Sequence, residues 1–205
     1  MEESREVIAV LSTEQQLGLD EQQVERLLAY ETWLKDEALP AGGIGPNEAE
    51  RIMERHIVDS LAMGIAARRT LGRELGGEAL DIGSGAGLPG IPLAIAFPDV
   101  HFTLLDRSGR RIRLLRRAAR VLELEAEVRQ GMVEDVTERH DLVTSRASLP
   151  PAGLLPHLRR LVTPDGVGVV AGSTGEQPQA AGYRVEEFRS EMLGIRRWML
   201  IMRQS

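Results

Sequence analysis

At residue 78 the periodicity of the chain changes from helical to strand-like. The apolar run Ala79-Leu-Asp-Ile82 leads directly into Gly83-Ser-Gly-Ala-Gly-Leu-Pro-Gly90. A short buried strand followed at once by alternating glycines permits few continuations. Glycine lets the backbone turn sharply and approach a ligand or another strand without a Cβ in the way. The apolar positions then resume helical spacing to about Phe97, so the segment reads as strand, tight turn and helix, the opening unit of a parallel sheet.

The same alternation continues downstream. Strands are expected at His101–Asp106, Ala126–Gln130, Leu142–Ser145 and Val167–Ala171, with helices over 108–123 and Leu154–Leu161 and a turn at Thr163-Pro-Asp-Gly166. Tyr183–Phe188 and Arg196–Met202 are close enough in sequence to pair as a terminal antiparallel hairpin. Upstream, a helix over 20–36 has Asp20 as N-cap, and Pro40-Ala-Gly-Gly-Ile-Gly-Pro46 forms a loop. A long helix is expected from an Asn47 cap to Leu71, with Ile52, His56, Ser60, Met63 and Ala67 on one face. The expected fold is α/β, a doubly wound, mostly parallel sheet ending in an antiparallel hairpin and preceded by N-terminal helices. Residues 1–77 would form a helical extension packed as one unit with residues 78–205. Ligands in such sheets lie at the carboxyl ends of the strands.

The absence of cysteine from the 205 residues excludes disulfides, thiolate metal sites and a cysteine nucleophile. His56, His101, His140 and His157 are scattered without ligand spacing, so no metal is expected. The acidic start and the lack of a long apolar run predict neither a secretory signal nor a membrane span, hence a cytoplasmic protein, expected to be a monomer. A net charge of -6 argues at first against a polyanionic partner. Divided along the chain, however, residues 1–54 carry 13 acids and 4 bases, and the remainder carries 18 acids and 21 bases. Seven arginines and no acid fall between Arg107 and Arg120. With Ile112, Leu115, Ala119 and Leu122 turned inward, Arg110, Arg113, Arg117 and Arg120 form an outer face. That face suits RNA phosphates, or else pairs with the acidic prelude.

Two nucleoside cofactors compete for the glycine turn. Gly85, Gly87 and Gly90 fit the dinucleotide fingerprint G-x-G-x-x-G. Asp81-x-Gly83-x-Gly85-x-Gly87, which begins at the strand end, resembles motif I of class I S-adenosylmethionine-dependent methyltransferases, with Asp81 near the donor's positive groups. Asp106, closing the second strand, can accept both hydrogen bonds of a ribose diol in either cofactor. Val133 and Glu134 follow the third strand, where such methyltransferases contact adenine. Arg146, just past the fourth strand, can fork onto a carboxylate or phosphate. His56 and Asp59 could close the site from the prelude helix, or simply pack it.

A more specific likeness extends over roughly residues 24–172. Leu80-Asp-Ile-Gly-Ser-Gly-Ala-Gly-Leu-Pro-Gly-Ile-Pro-Leu93, His101-Phe-Thr-Leu-Leu-Asp106, Arg55-His-Ile-Val-Asp-Ser-Leu61 and Ser145-Arg-Ala147 resemble, in order and spacing, the glucose-inhibited division protein B family. Its members are bacterial small-subunit ribosomal RNA guanine-N7 methyltransferases. The resemblance implies a Rossmann-like methyltransferase fold, S-adenosyl-L-methionine as cofactor, and ribosomal RNA or the small ribosomal subunit as partner. It places Gly83, Leu88, Val133, Glu134 and Arg146 at the methyl donor, with His56 and Arg146 as positioning candidates. Three motifs differ. Ala38-Leu39-Pro40 stands for the family's Asn-Leu-Thr, Ala171-Gly172 for its Lys-Gly, and Ser148 for a common phenylalanine. The first two remove polar groups near the expected mouth, which leaves open another RNA or a small molecule as acceptor, or a cofactor-binding relative without catalysis.

Overall fold

The computed structural model describes residues 1–172 and 176–204. Its core is a seven-stranded sheet in the order β3-β2-β1-β4-β5-β7-β6. The strands are β1 (Gly77–Ile82), β2 (Val100–Asp106), β3 (Ala126–Gln130), β4 (His140–Ser145), β5 (Val162–Ala171), β6 (Arg184–Ser190) and β7 (Ile195–Met202). β3, β2, β1, β4 and β5 run parallel, while β7 pairs antiparallel with both β5 and β6. The strand order reverses between β1 and β4, the place where doubly wound sheets open a crevice.

Strand alternation sends side chains to both faces. Ala79, Phe102, Leu104, Leu142 and Val169 join one buried cluster with helices α1 (Glu2–Glu14), α2 (Glu21–Trp33), α3 (Asp59–Leu71), α4 (Gly90–Ala96) and α5 (Gly109–Val121). Leu80, Ile82, Val143, Val170 and Leu200 point the other way, onto Leu154, Leu158 and Leu161 of α6 (Pro151–Leu161).

The prelude differs in detail from its expected form. Asp20 caps α2 through a capping box with Gln23. The long second helix, however, begins without an Asn47 cap. Gly45 precedes a 3₁₀ turn with Pro46 in its first turn, a π-helical segment Met53–Val58 follows, and α3 completes the run. Ile52, His56, Ser60, Met63 and Ala67 are nevertheless all buried together. α1, whose Ser4, Ile8 and Leu11 face inward at helical spacing, was not expected. The segment Thr163–Gly166, expected as a turn, lies within β5, where the β4–β5 register shifts. On α5 the inward stripe uses Ala118 rather than Ala119. Among the described residues no helix is long and apolar enough to cross a membrane.

Candidate active site

The glycine turn is built from strand hydrogen bonds and positive backbone angles. Gly83 and Ser84 donate backbone N–H groups to Leu105 O at 2.8 and 3.0 Å, joining the end of β1 to β2. Gly83, Gly85 and Gly87 adopt φ of 71°, 63° and 106°, the left-handed region that favours glycine. Their surroundings differ. A Cβ on Gly83 would lie 2.4 Å from Ser148 Cβ, and one on Gly87 would lie 2.3 Å from Ile91 Cδ1. One on Gly85 would have nothing nearer than 3.8 Å, with Arg111 Nη1 among its closest atoms. Gly83 and Gly87 therefore admit protein neighbours, whereas Gly85 alone of the three faces open space.

The turn forms one wall of a cleft of about 790 Å³ at the carboxyl ends of β1, β2 and β4. The structure brings Gly83, Gly85, Leu88, Asp106, Val133, Glu134, Arg146, His56 and Asp59 to this cleft. Asp81 and Gly87 lie beneath it. Asp81 is fully buried, accepting from Gly90 N at 3.1 Å through Oδ2 and from Thr144 Oγ1 at 3.0 Å through Oδ1. Its side chain thus points under α4 and does not line the cleft, where it was expected near the donor's positive groups. Burial pushes its carboxyl up to about 6, against the hydrogen bonds that favour the charged form.

Asp106 is nearly buried. Its Oδ2 accepts from Gly85 N at 3.0 Å and its Oδ1 from Ser108 N at 2.8 Å. Those bonds fix the carboxylate plane beside the open Gly85, and Arg111 Nη1 approaches to 3.6 Å. Glu134 is exposed at the rim, 3.7 Å from His157 Nε2. Val133 is buried at the start of a 3₁₀ turn whose carbonyl accepts from Arg160 at 2.8 Å.

Arg146 does not fork onto an acidic side chain. It donates to Arg55 O at 2.9 Å and meets His56 Nδ1 at 2.8 Å. A guanidinium can only donate, so Nδ1 accepts and the imidazole carries its proton on Nε2. Burial, Arg146 and Arg55 together push the His56 pKa down to about 4. Nε2 lies 3.4 Å from Glu48 Oε2, but with a neutral ring this is a donor facing a carboxylate, not an ion pair. On the other side, Asp59 takes Arg197, which also donates to Glu54 at 2.9 Å.

Several residues at the site carried no separate signal in the sequence. Tyr30 Oη, fully buried, donates to Ala86 O at 3.0 Å and ties α2 to the glycine turn. Its only local cue is a Trp three residues on, with which it stacks at 6.0 Å. Arg111 and Glu48 stand on the cleft wall, beside Arg55 of the Arg55–Leu61 motif. Of the departing motifs, Ser148, Ala171 and Gly172 reach the cleft, and a side chain on Gly172 is blocked by Trp198 O. Ala38 is buried and its carbonyl accepts from Gly43 N at 2.7 Å, holding the loop that forms the opposite rim. Among the described residues no group of three His, Asp or Glu side chains is gathered to hold a metal ion.

Residues 23–190 match the GidB family model, described as rRNA small subunit methyltransferase G. The chain belongs to this family. A Halorhodospira halophila protein named ribosomal RNA small subunit methyltransferase G is 37% identical over 88% of this chain and 83% of its own length. A Mycobacterium sp. (strain JLS) protein of the same name is 43% identical over 58% of this chain and 52% of its own. The chain thus spans about half the length of the first curated relatives it matches. Among solved structures, a precorrin-6y C5,15-methyltransferase from Geobacter metallireducens superimposes with a TM-score of 0.53 at 14% identity, covering 77% of this chain and 92% of that one. At that identity the likeness concerns the fold, the mostly parallel class I methyltransferase sheet.

Proposed function

We propose that this member of the family uses S-adenosyl-L-methionine to methylate N7 of a guanine in small-subunit ribosomal RNA. The cleft fits such a donor. Gly85 leaves open space, and Asp106 beside it is a fixed carboxylate whose remaining lone pairs suit a ribose diol. Val133 and Glu134 form the neighbouring edge, in reach of an adenine. When bound, the donor supplies an electrophilic methyl on a sulfonium.

The observation that carries the acceptor chemistry is the state of His56. A hydroxyl acceptor needs a base near the transferred methyl. Among the described residues lining the cleft the one histidine has Nδ1 engaged by Arg146 and a pKa pushed down to about 4 by burial and the neighbouring arginines, which disfavours it as that base. Guanine N7 has an in-plane lone pair and requires no deprotonation. Positioning is then sufficient, with reacting atoms held at near-attack distance. His56 and Arg146 act as a rigid clamp between the prelude and β4 and exchange no proton.

The prelude and the sheet are read as one folding unit, residues 1–77 with 78–205, supported by the Tyr30–Ala86 and Arg146–Arg55 bonds. The same reading places the protein in the cytoplasm as a monomer. Ala171-Gly172, which puts no cation at the cleft, favours as a second reading another RNA or a small molecule as acceptor.

Calorimetry with S-adenosylmethionine and with NAD tests the cofactor, and saturable binding of NAD alone would overturn it. Labelled-methyl transfer to small ribosomal subunits, run beside a metabolite extract, tests the acceptor. Label confined to the extract would replace the RNA reading with the second one.

A further inference from the structure

Beside the cleft lies a second hollow of about 240 Å³, lined by Arg110, Arg111, Arg113 and Arg117 of α5 and by Glu37 and the loop at Ala41 and Gly43. Gly43 and Arg111 belong to both cavities, so the two share a wall. Four arginines line it, and α5 contains no acid. The carboxylate in the lining of this hollow comes from far upstream. Glu37 Oε1 accepts from Arg117 Nη2 at 2.6 Å. Arg110 Nη1 donates to Ala41 O at 3.1 Å, fastening the loop whose Gly43, Ile44 and Gly45 form the rim of the cleft. Arg113 has no hydrogen-bond or ion-pair partner among the described residues.

We infer that this hollow is a phosphodiester subsite for the RNA backbone next to the target nucleotide, with Glu37 standing in for the phosphate while RNA is absent. The inference rests on the RNA reading above and goes beyond it by naming the subsite and its occupant. The Glu37–Arg117 pair is exposed enough to exchange. Its side chains are 37% and 60% accessible, and a surface pair of this kind contributes little to folding. A phosphodiester offers the arginine fork two non-bridging oxygens, as a carboxylate does, and is recognised in the same bidentate manner. Its arrival would displace the side chain of Glu37, which sits in a π-helical segment (Leu34–Ala38) that leads into the loop bordering the cleft.

The test is binding of a small-subunit ribosomal RNA transcript as a function of salt, with methyl transfer measured on the same samples. Arg113→Ala and Arg117→Ala should each weaken binding and each reduce the slope of log affinity against log salt by about 1. Glu37→Gln, which keeps the shape and removes the charge, should tighten binding by about two- to fivefold, the scale of one released surface pair. That gain should vanish when Arg117 is already alanine. Arg189→Ala, in a charged cluster on the far hairpin, serves as the control and should leave the slope unchanged. If the wild-type protein binds and methylates RNA while Glu37→Gln gains nothing and neither arginine variant alters the slope, the subsite is wrong and the RNA reading stands. If the wild-type protein neither binds nor methylates RNA, both fall.

Discussion

Gly83 is required by a protein neighbour, and Gly83→Ala paired with Ser148→Gly isolates that requirement. With φ at 71°, an alanine at 83 would bear the left-handed penalty of about 1–2 kcal/mol. Its Cβ would also stand 2.4 Å from Ser148 Cβ, an overlap that costs about 1–3 kcal/mol to relieve. Gly83→Ala should therefore lose roughly 3 kcal/mol, a fall in Tm on the order of 6–12 °C for a chain of this size. Ser148→Gly removes the hydroxyl bonded to Ser145 and should cost about 1 kcal/mol alone. In the double variant the overlap disappears while the backbone penalty stays, so the combined loss should fall short of the sum by more than about 1 kcal/mol. Urea unfolding of the four proteins, extrapolated linearly, measures that coupling. Additivity to within about 0.5 kcal/mol would refute the close-approach argument. Gly85→Ala is the internal contrast. Open space surrounds its Cβ, so it should lose only the backbone term yet weaken methyl-donor binding.

Three further outcomes follow from the buried groups. His56 titrates near 4 in the folded protein against its ordinary 6.5, so the unfolded chain binds more protons in that window and this residue's stability contribution rises with pH across it. Asp81 is shifted the opposite way, to about 6 from 3.8, so its contribution falls with rising pH over the same range. Relative to wild type, Asp81→Asn should gain on the order of 3 kcal/mol between about pH 4 and 6.5, and His56→Gln should show the reverse trend, both read from urea midpoints. Tyr30→Phe leaves the buried Ala86 carbonyl without its donor and should cost about 1–3 kcal/mol by urea unfolding, with weaker donor binding by calorimetry. Asp106→Asn replaces an acceptor of two backbone N–H groups by an amide that turns its NH₂ toward one of them, and calorimetry should show at least about tenfold weaker S-adenosylmethionine binding.

The parallel sheet and its cleft were legible because each strand ends in a local signal. Glycines follow Ile82, Asp106 closes β2, and Ser-Arg-Ala starts on the last residue of β4, so the residues at strand ends converge once the strands align. Asp81 was misplaced for a reason that strand alternation contains. Leu80 and Ile82 face α6, so the residue between them must face α4, away from the strand-end crevice. The α1 helix was overlooked because its buried positions, Ser4, Ile8 and Leu11, are few and set among acids. The pairs Glu37–Arg117 and Tyr30–Ala86 span 80 and 56 residues, and no local pattern encodes such a meeting. The basic face of α5 was visible from its composition, whereas the hollow it makes with Glu37 and the loop at Ala41 and Gly43 depends on how the prelude docks.

The central claim is transfer of a methyl group to guanine N7 in small-subunit ribosomal RNA. Purified small subunits lacking the modification, treated with the protein and labelled S-adenosylmethionine, can be reduced with borohydride and cleaved with aniline, which breaks the chain at N7-methylated guanine. Label should appear in the small-subunit RNA together with one new protein-dependent cleavage. Efficient labelling of that RNA without cleavage, or labelling of another acceptor alone, would contradict it.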